Sequence, residues 1–293
     1  MNVETLKNLL RKYNLKPNFT YGQNFLVDEI ILEDIVDAAD VSSGNWILEI
    51  GPGLGNLTRR LCERGAKVLS VEKDPHFLPL LKAIKKDYPE NFKFEIADAL
   101  EFNYTQAFND WQLAFSRKDS ANSSPLNAIS YKVVANIPYY ITGKILEMFM
   151  TSKFKPEAVV VLAQKEVAER ACALVGELNL LGISVQLYGD PKIVRLVPAR
   201  AFYPEPKVQS AILKIVLHKK PKYEIKDEKK FFTLLRACFA GKRKQLHNTL
   251  VNNLKLKKEE VFSVLESLDL DPKTRPQQLS IDEWIMLAKK IFI

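Results

Sequence analysis

Tyr131-Lys132-Val133-Val134-Ala135-Asn136-Ile137-Pro138-Tyr139-Tyr140 is the stretch on which the fold turns. Its β-branched run predicts a buried strand, and Pro138, with no N–H to give a ladder, ends that strand at about Asn136. Asn136 then stands at a carboxyl end of the sheet, where open α/β folds place their ligands. Its side-chain carbonyl and the backbone carbonyls around Pro138 are acceptors, and Tyr139 is a flat apolar plate. This combination suits an exocyclic amino group on a planar base: the acceptors take the two N–H groups while the ring stacks. The competing reading is an ordinary strand-ending turn, since Asn and Pro both favour turns.

Toward the amino terminus, three more strand ends carry ligand-type residues. Trp46-Ile47-Leu48-Glu49-Ile50 reads as a strand, Gly51-Pro52-Gly53-Leu54-Gly55 as a tight turn, and Leu57 to Arg64 as a helix. Glycines there let the backbone approach a ligand at the helix start. The pattern is not the dinucleotide fingerprint, whose third glycine would fall on Asn56. Glu49 brings a carboxylate near the turn, a poor neighbour for a pyrophosphate and a good one for a sulfonium or ammonium cation. Lys67 to Val71 is a second strand leading into Glu72, about 20 residues beyond the glycines, where an acid accepts ribose hydroxyls. Phe92 to Ile96 is a third strand, followed by Asp98, which can cap a helix or accept from an adenine amino group. Any one of these is ordinary, but four at successive strand ends describe a site.

Farther out, Leu6, Leu9 and Leu10 beside Lys7, Arg11 and Lys12 predict a short basic amphipathic helix. Tyr21 to Leu26 reads as a loop in which Gln23 and Asn24 can cap the helical segment Ile30 to Ala39. Asn103 to Ser130, with its polar run Ser116 to Pro125, reads as a surface loop between the third and fourth strands. Beyond Asn136 the pattern predicts a helix over Gly143 to Met150, a strand over Ala158 to Ala163 and a helix over Gln164 to Leu174. Strands near Ile193 to Val197 and over Ser210 to Leu217 follow. Phe202, in a loop stiffened by Pro204 and Pro206, is either a second stacking plate or core packing. The shift at Lys219-Lys220-Pro221-Lys222 marks a domain boundary, giving residues 1–218 and 219–293. The second part is helical throughout: Lys229 to Phe239, Arg243 to Leu254, Glu259 to Leu268 and Ile281 to Phe292. Lys242, Arg243 and Lys244 gather at one of these helix starts, where cations oppose the helix dipole. A cost borne there points to a phosphate partner.

The 293 residues suffice for one large and one small domain, and the formal net charge of +8 leans toward polyanions. Cys62, Cys172 and Cys238 lie far apart and read as buried free thiols in a reducing compartment. His76, His218 and His247 make no cluster with them, so no metal site is expected. No apolar run approaches the ~18 residues of a membrane span, and the first residues carry no signal-peptide core. These features predict a cytoplasmic protein with no membrane partner.

Taken together, the motifs resemble those of the KsgA family of S-adenosylmethionine-dependent rRNA adenine dimethyltransferases, from about Tyr21 to the end. The matching stretches are GQNFL (22–26), EIGPGLGNLT (49–58), VEKD (71–74), ADAL (97–100), NIPYYIT (136–142), QKEVAERA (164–171), FYPEPKVQSA (202–211) and FAGKRKQLHNTL (239–250). The resemblance implies an α/β fold of class I, Rossmann-like type: a seven-stranded methyltransferase sheet with a small, all-helical, RNA-binding carboxyl-terminal domain. It implies that Asn24, Leu26, Gly51, Gly53, Glu72, Asp98 and Asn136 hold S-adenosylmethionine. It places the target base against Asn136, Pro138, Tyr139 and Phe202, and RNA phosphates near Lys242, Arg243 and Lys244. The chain departs from the family in its polar loop near Ser116 to Pro125 and in Ala171 to Leu174. The implied activity is dimethylation of N6 on adjacent adenosines in a small-subunit rRNA hairpin loop, by a monomer acting in the assembling subunit. The alternatives are a large-subunit rRNA methyltransferase of the antibiotic-resistance type, a DNA adenine methyltransferase, and an assembly factor that acts mainly by binding.

Overall fold

Apolar runs that alternate with segments of helical period are the pattern of a parallel sheet covered by helices. The computed structural model describes residues 3–17, 22–116, 130–241 and 244–292. The chain opens with α1 (Val3–Lys12), the two-residue strand β1 (Phe25–Leu26) and α2 (Glu29–Ala38). There follow β2 (Trp46–Ile50), α3 (Asn56–Glu63), β3 (Lys67–Glu72), α4 (Leu78–Asp87), β4 (Phe92–Ile96) and α5 (Tyr104–Ser116). Next come β5 (Tyr131–Ala135), α6 (Thr142–Thr151), β6 (Ala158–Gln164), α7 (Lys165–Ala171) and α8 (Leu180–Tyr188). The strands β7 (Gly189–Val197), β8 (Phe202–Tyr203) and β9 (Ser210–Leu217) precede the last helices. These are α9 (Glu228–Phe239), α10 (Leu246–Leu254), α11 (Lys258–Ser267) and α12 (Ile281–Ile291).

Among the described residues, seven strands form one sheet in the order β4-β3-β2-β5-β6-β9-β7, so the chain has the seven-stranded α/β fold. The first five of these are parallel, and β9 runs antiparallel to β6. The chain lays β3 and β4 outward from one flank of β2, then returns to set β5 on the other flank. Strand order therefore reverses between β2 and β5, the topological position at which such sheets open a ligand crevice. Ile50 is in register with Ala135, which brings Gly51 and Asn136 together just past the two strand ends.

The structure adds elements that the sequence reading does not contain. Within 103–130, α5 presents Tyr104, Phe108 and Trp111 at helical spacing, and the last two are buried beside Trp46 and Tyr131. The polar run beside them hides this helical spacing in sequence; residues 117–129 lie outside the described residues. The helix expected over 164–174 ends at Ala171, and α8 follows after a turn. Asp28, not Gln23 or Asn24, caps α2, its carboxylate accepting from the Ile30 and Ile31 N–H groups. Cys62 and Cys238 are buried, whereas Cys172 is only partly so. Among the described residues no helix is long and apolar enough to cross a membrane.

Two compact units divide the chain: Met1–Ala168 with Pro191–Leu217, and Glu169–Asp190 with His218–Ile293. The first holds the sheet. The second builds its own core from α9 to α12, with Phe231, Leu235, Leu250 and Trp284 almost wholly buried. Leu178, Ile183 and Leu187 belong to that same core. The helical unit is thus larger than a boundary at Lys219 implies. The composition shift marks the chain's last exit from the sheet and carries no trace of the earlier excursion over 169–190.

Candidate active site

At the switch point a cleft encloses about 1120 Å³ of space, counting its open mouth. On one side it is lined by Asn24, Leu26, Gly51, Gly53, Glu72 and Asp98, and on the other by Asn136, Pro138, Tyr139 and Phe202. The residues singled out at strand ends therefore do converge. Gly51 and Gly53 hold φ of +70° and +52°, left-handed values that glycine adopts without strain.

Glu72, 6% exposed, ends β3 with its carboxylate turned back onto the glycine turn. Oε2 accepts from the Gly53 N–H at 3.0 Å and Oε1 from the Asp74 N–H at 2.8 Å. Burial pushes its pKa up against those two bonds. Asp98 serves a turn as well as the cleft: Oδ1 accepts from the Leu100 N–H at 3.0 Å and Oδ2 from Lys73 Nζ at 2.7 Å. The Lys73 ammonium holds the Asp98 carboxyl below its usual range.

Glu49 is where the sequence reading fails. It is 1% exposed and absent from the cleft lining, packed instead between β3 and α3. Its Oε2 accepts from Thr58 Oγ1 at 2.7 Å and Ser70 Oγ at 2.5 Å. Burial lifts its pKa to about 7. Depth along the strand explains the error: Glu49 is level with Ser70, two residues short of Glu72 at the strand end, and α3 covers it there.

On the base side, no hydrogen bond within the described residues engages the Asn136 side chain. The Pro138 carbonyl already accepts from the Ile141 N–H at 3.2 Å, closing the 3-10 turn Tyr139–Ile141. Tyr139 is half-buried, and its hydroxyl lies 2.6 Å from the buried Ser210 Oγ at the start of β9. Phe202, 2% exposed, pairs with Leu26 across the β1–β8 ribbon and joins the core cluster. It forms cleft wall rather than an open plate.

The family model described as Ribosomal RNA adenine dimethylase matches residues 14–291. The chain belongs to that family. Ribosomal RNA small subunit methyltransferase A of Dehalococcoides mccartyi is 39% identical over 282 residues, 96% of this chain and 91% of that one. The protein of the same name from Clostridium botulinum is 37% identical over 291 residues, 98% of each chain. Among solved structures, a dimethyladenosine transferase from Plasmodium falciparum gives a TM-score of 0.70 at 26% identity, covering 90% of this chain and 95% of that one.

In this family member the structure also shows contacts that sequence reasoning did not find. Gln23 Nε2 donates to Asp74 Oδ2 at 2.9 Å, tying the 22–26 segment to the residues after β3. Asn56, read only as a missing glycine, donates to the Leu26 carbonyl at 3.3 Å and lines the cleft. All three, with Ser210, lie inside the quoted motifs, but a motif does not say which of its residues touch. Lys244 stands two residues before α10, whose first helical residue is Leu246 rather than Arg243; Lys242 and Arg243 lie outside the described residues.

Proposed function

We propose that this protein is an S-adenosylmethionine-dependent enzyme that dimethylates N6 of adjacent adenosines in a hairpin loop of small-subunit rRNA. It acts as a cytoplasmic monomer during assembly of that subunit. The observation that carries this reading is the uncommitted Asn136 carboxamide beside the anchored Tyr139 ring at the switch point. Near-full-length likeness to small-subunit methyltransferases supports the choice of subunit.

The cleft fits the cofactor. Gly51 and Gly53 present backbone without side chains, Glu72 offers a buried carboxylate for ribose hydroxyls, and Asp98 stands where an adenine edge would arrive. Asn24, Leu26 and Asn136 complete the set of residues that would hold it. S-adenosylmethionine, when bound, supplies the electrophilic methyl group.

The amino nitrogen of adenine is a weak nucleophile because its lone pair is delocalised into the ring. Asn136 Oδ1 accepts one N–H, and the second lone pair of the Pro138 carbonyl accepts the other. Together they favour the pyramidal nitrogen of the transition state, while Tyr139 fixes the ring plane. In the second round only one N–H remains. Pro138, already satisfied by Ile141, is the acceptor that can be left unused. The alkylated nitrogen is acidic enough to release its proton without a dedicated base.

The test is mass spectrometry of rRNA from a strain lacking the gene, with and without the protein restored. Dimethyladenosine should vanish from small-subunit rRNA and return on restoration. Loss from large-subunit rRNA instead, or no change in either, would overturn the assignment.

A further inference from the structure

α1 carries charges that the cleft does not use. Leu6 and Leu10 are buried in the core of the sheet unit, and Lys7 and Arg11 are exposed one turn apart. Like charges four residues apart work against a helix. Arg11 lies in the last turn, where a cation complements the helix dipole, but Lys7, mid-helix, has no such compensation. Neither makes an ion pair within the described residues. Lys7 Nζ instead stands 5.3 Å from the centroid of the Tyr203 ring, a cation–π contact that fixes where the ammonium sits. Tyr203 pairs with Phe25 in the β1–β8 ribbon, and the next pair along, Leu26 with Phe202, is cleft wall. The cation is therefore held over Tyr203, the chain neighbour of the cleft residue Phe202. Arg200, in the 3-10 turn Ala199–Ala201 that leads into β8, is exposed and likewise unpaired within the described residues.

We propose that Lys7, Arg11 and Arg200 form a phosphate-binding rim that grips the RNA backbone flanking the target adenosine. This rests on the RNA substrate proposed above. A nucleotide taken out of its stack leaves its neighbouring phosphates at the mouth of the pocket. Cations standing there supply affinity without sequence information, and a guanidinium can hold a phosphate through two hydrogen bonds. The rim positions the strand, and the cleft reads the base.

The test uses the full chain with Lys7, Arg11 and Arg200 all changed to Gln, and a small-subunit rRNA hairpin titrated over a salt series. The slope of log K against log salt should flatten by about 2, at roughly 0.7–0.9 for each phosphate no longer neutralised. Calorimetric affinity for S-adenosylmethionine should stay at the parental value. Lys7→Arg alone should keep the parental slope. A charge-matched control, Lys82→Gln/Lys86→Gln/Lys153→Gln, removes three other exposed lysines and should leave most of the slope in place. If the triple rim variant keeps the parental slope, or the control flattens it equally, the rim is wrong while the RNA reading stands. A parent protein that neither binds nor methylates the hairpin removes both.

Discussion

Asn136 ends β5 instead of filling its interior, so Asn136→Ala opens no large apolar cavity and the fold should survive. What it loses is an acceptor committed to no protein group. Single-turnover methyl transfer, with cofactor and RNA saturating, should slow on the order of 100- to 1000-fold, as for other preorganised polar groups. A rate within a few-fold of the parent would confine Asn136 to holding the cofactor. Tyr139→Phe keeps the plate and removes its anchor on Ser210. Losing that hydrogen bond should slow the same step about fivefold, the rate equivalent of ~1 kcal/mol. Ser210→Ala should add nothing in the Tyr139→Phe background; additive losses would mean that the two residues act separately. Glu72→Ala should weaken S-adenosylmethionine binding by roughly 1.5–3 kcal/mol, the range for hydrogen bonds to a charged group. Because Glu72 also holds the Gly53 N–H, part of that loss should come from a loosened glycine turn. Calorimetry giving unchanged affinity would remove Glu72 from the ribose role.

At the scale of elements, the short ribbon β1–β8 does more than its four residues suggest. It sets Phe202 against Leu26 as cleft wall and carries Tyr203 beneath Lys7. Neither partner reads as a strand in sequence, because two-residue strands have no period to detect. The approach to α10 makes a second case. With the helix starting at Leu246, Lys244 lies outside it, just before the N-cap Gln245, and is exposed. Changing Lys242, Arg243 and Lys244 to Gln should still flatten the salt slope of RNA binding, by about 1–2 units, because adjacent side chains do not all reach phosphates. Cofactor affinity should not move. An unaltered slope together with lower activity would assign these residues to structure or to another partner.

The molecule as a whole should show the buried Glu49 in its stability. Its folded pKa of about 7 lies above the ordinary 4.5, so its contribution is fully present below pH 4.5 and is lost as pH rises through 7. A shift of that size corresponds to about 3 kcal/mol. Glu49→Gln cannot ionise, so relative to this variant the parent should lose stability in urea denaturation from about pH 4.5 to about 7. A difference that stays flat across that interval would mean that Glu49 titrates normally. The same residue separates what sequence determines from what only folding decides. The strand ends at Gly51, Glu72, Asp98 and Asn136 were legible because local rules suffice: β-branched runs make strands, glycine and proline end them, and open sheets bind ligands where strands end. Whether Glu49 or Glu72 faces the cleft was not legible: both lie on the same face of the sheet, and only the cover of α3 over Glu49, set two residues deeper along the strands, keeps it out. The return of 169–190 to the helical core was hidden for a similar reason. Its partners, Phe231 and Leu250 among them, stand far along the chain, and apolar attraction carries no address. Periodicity along the chain names the elements, and only the packing of distant surfaces decides which side chains meet.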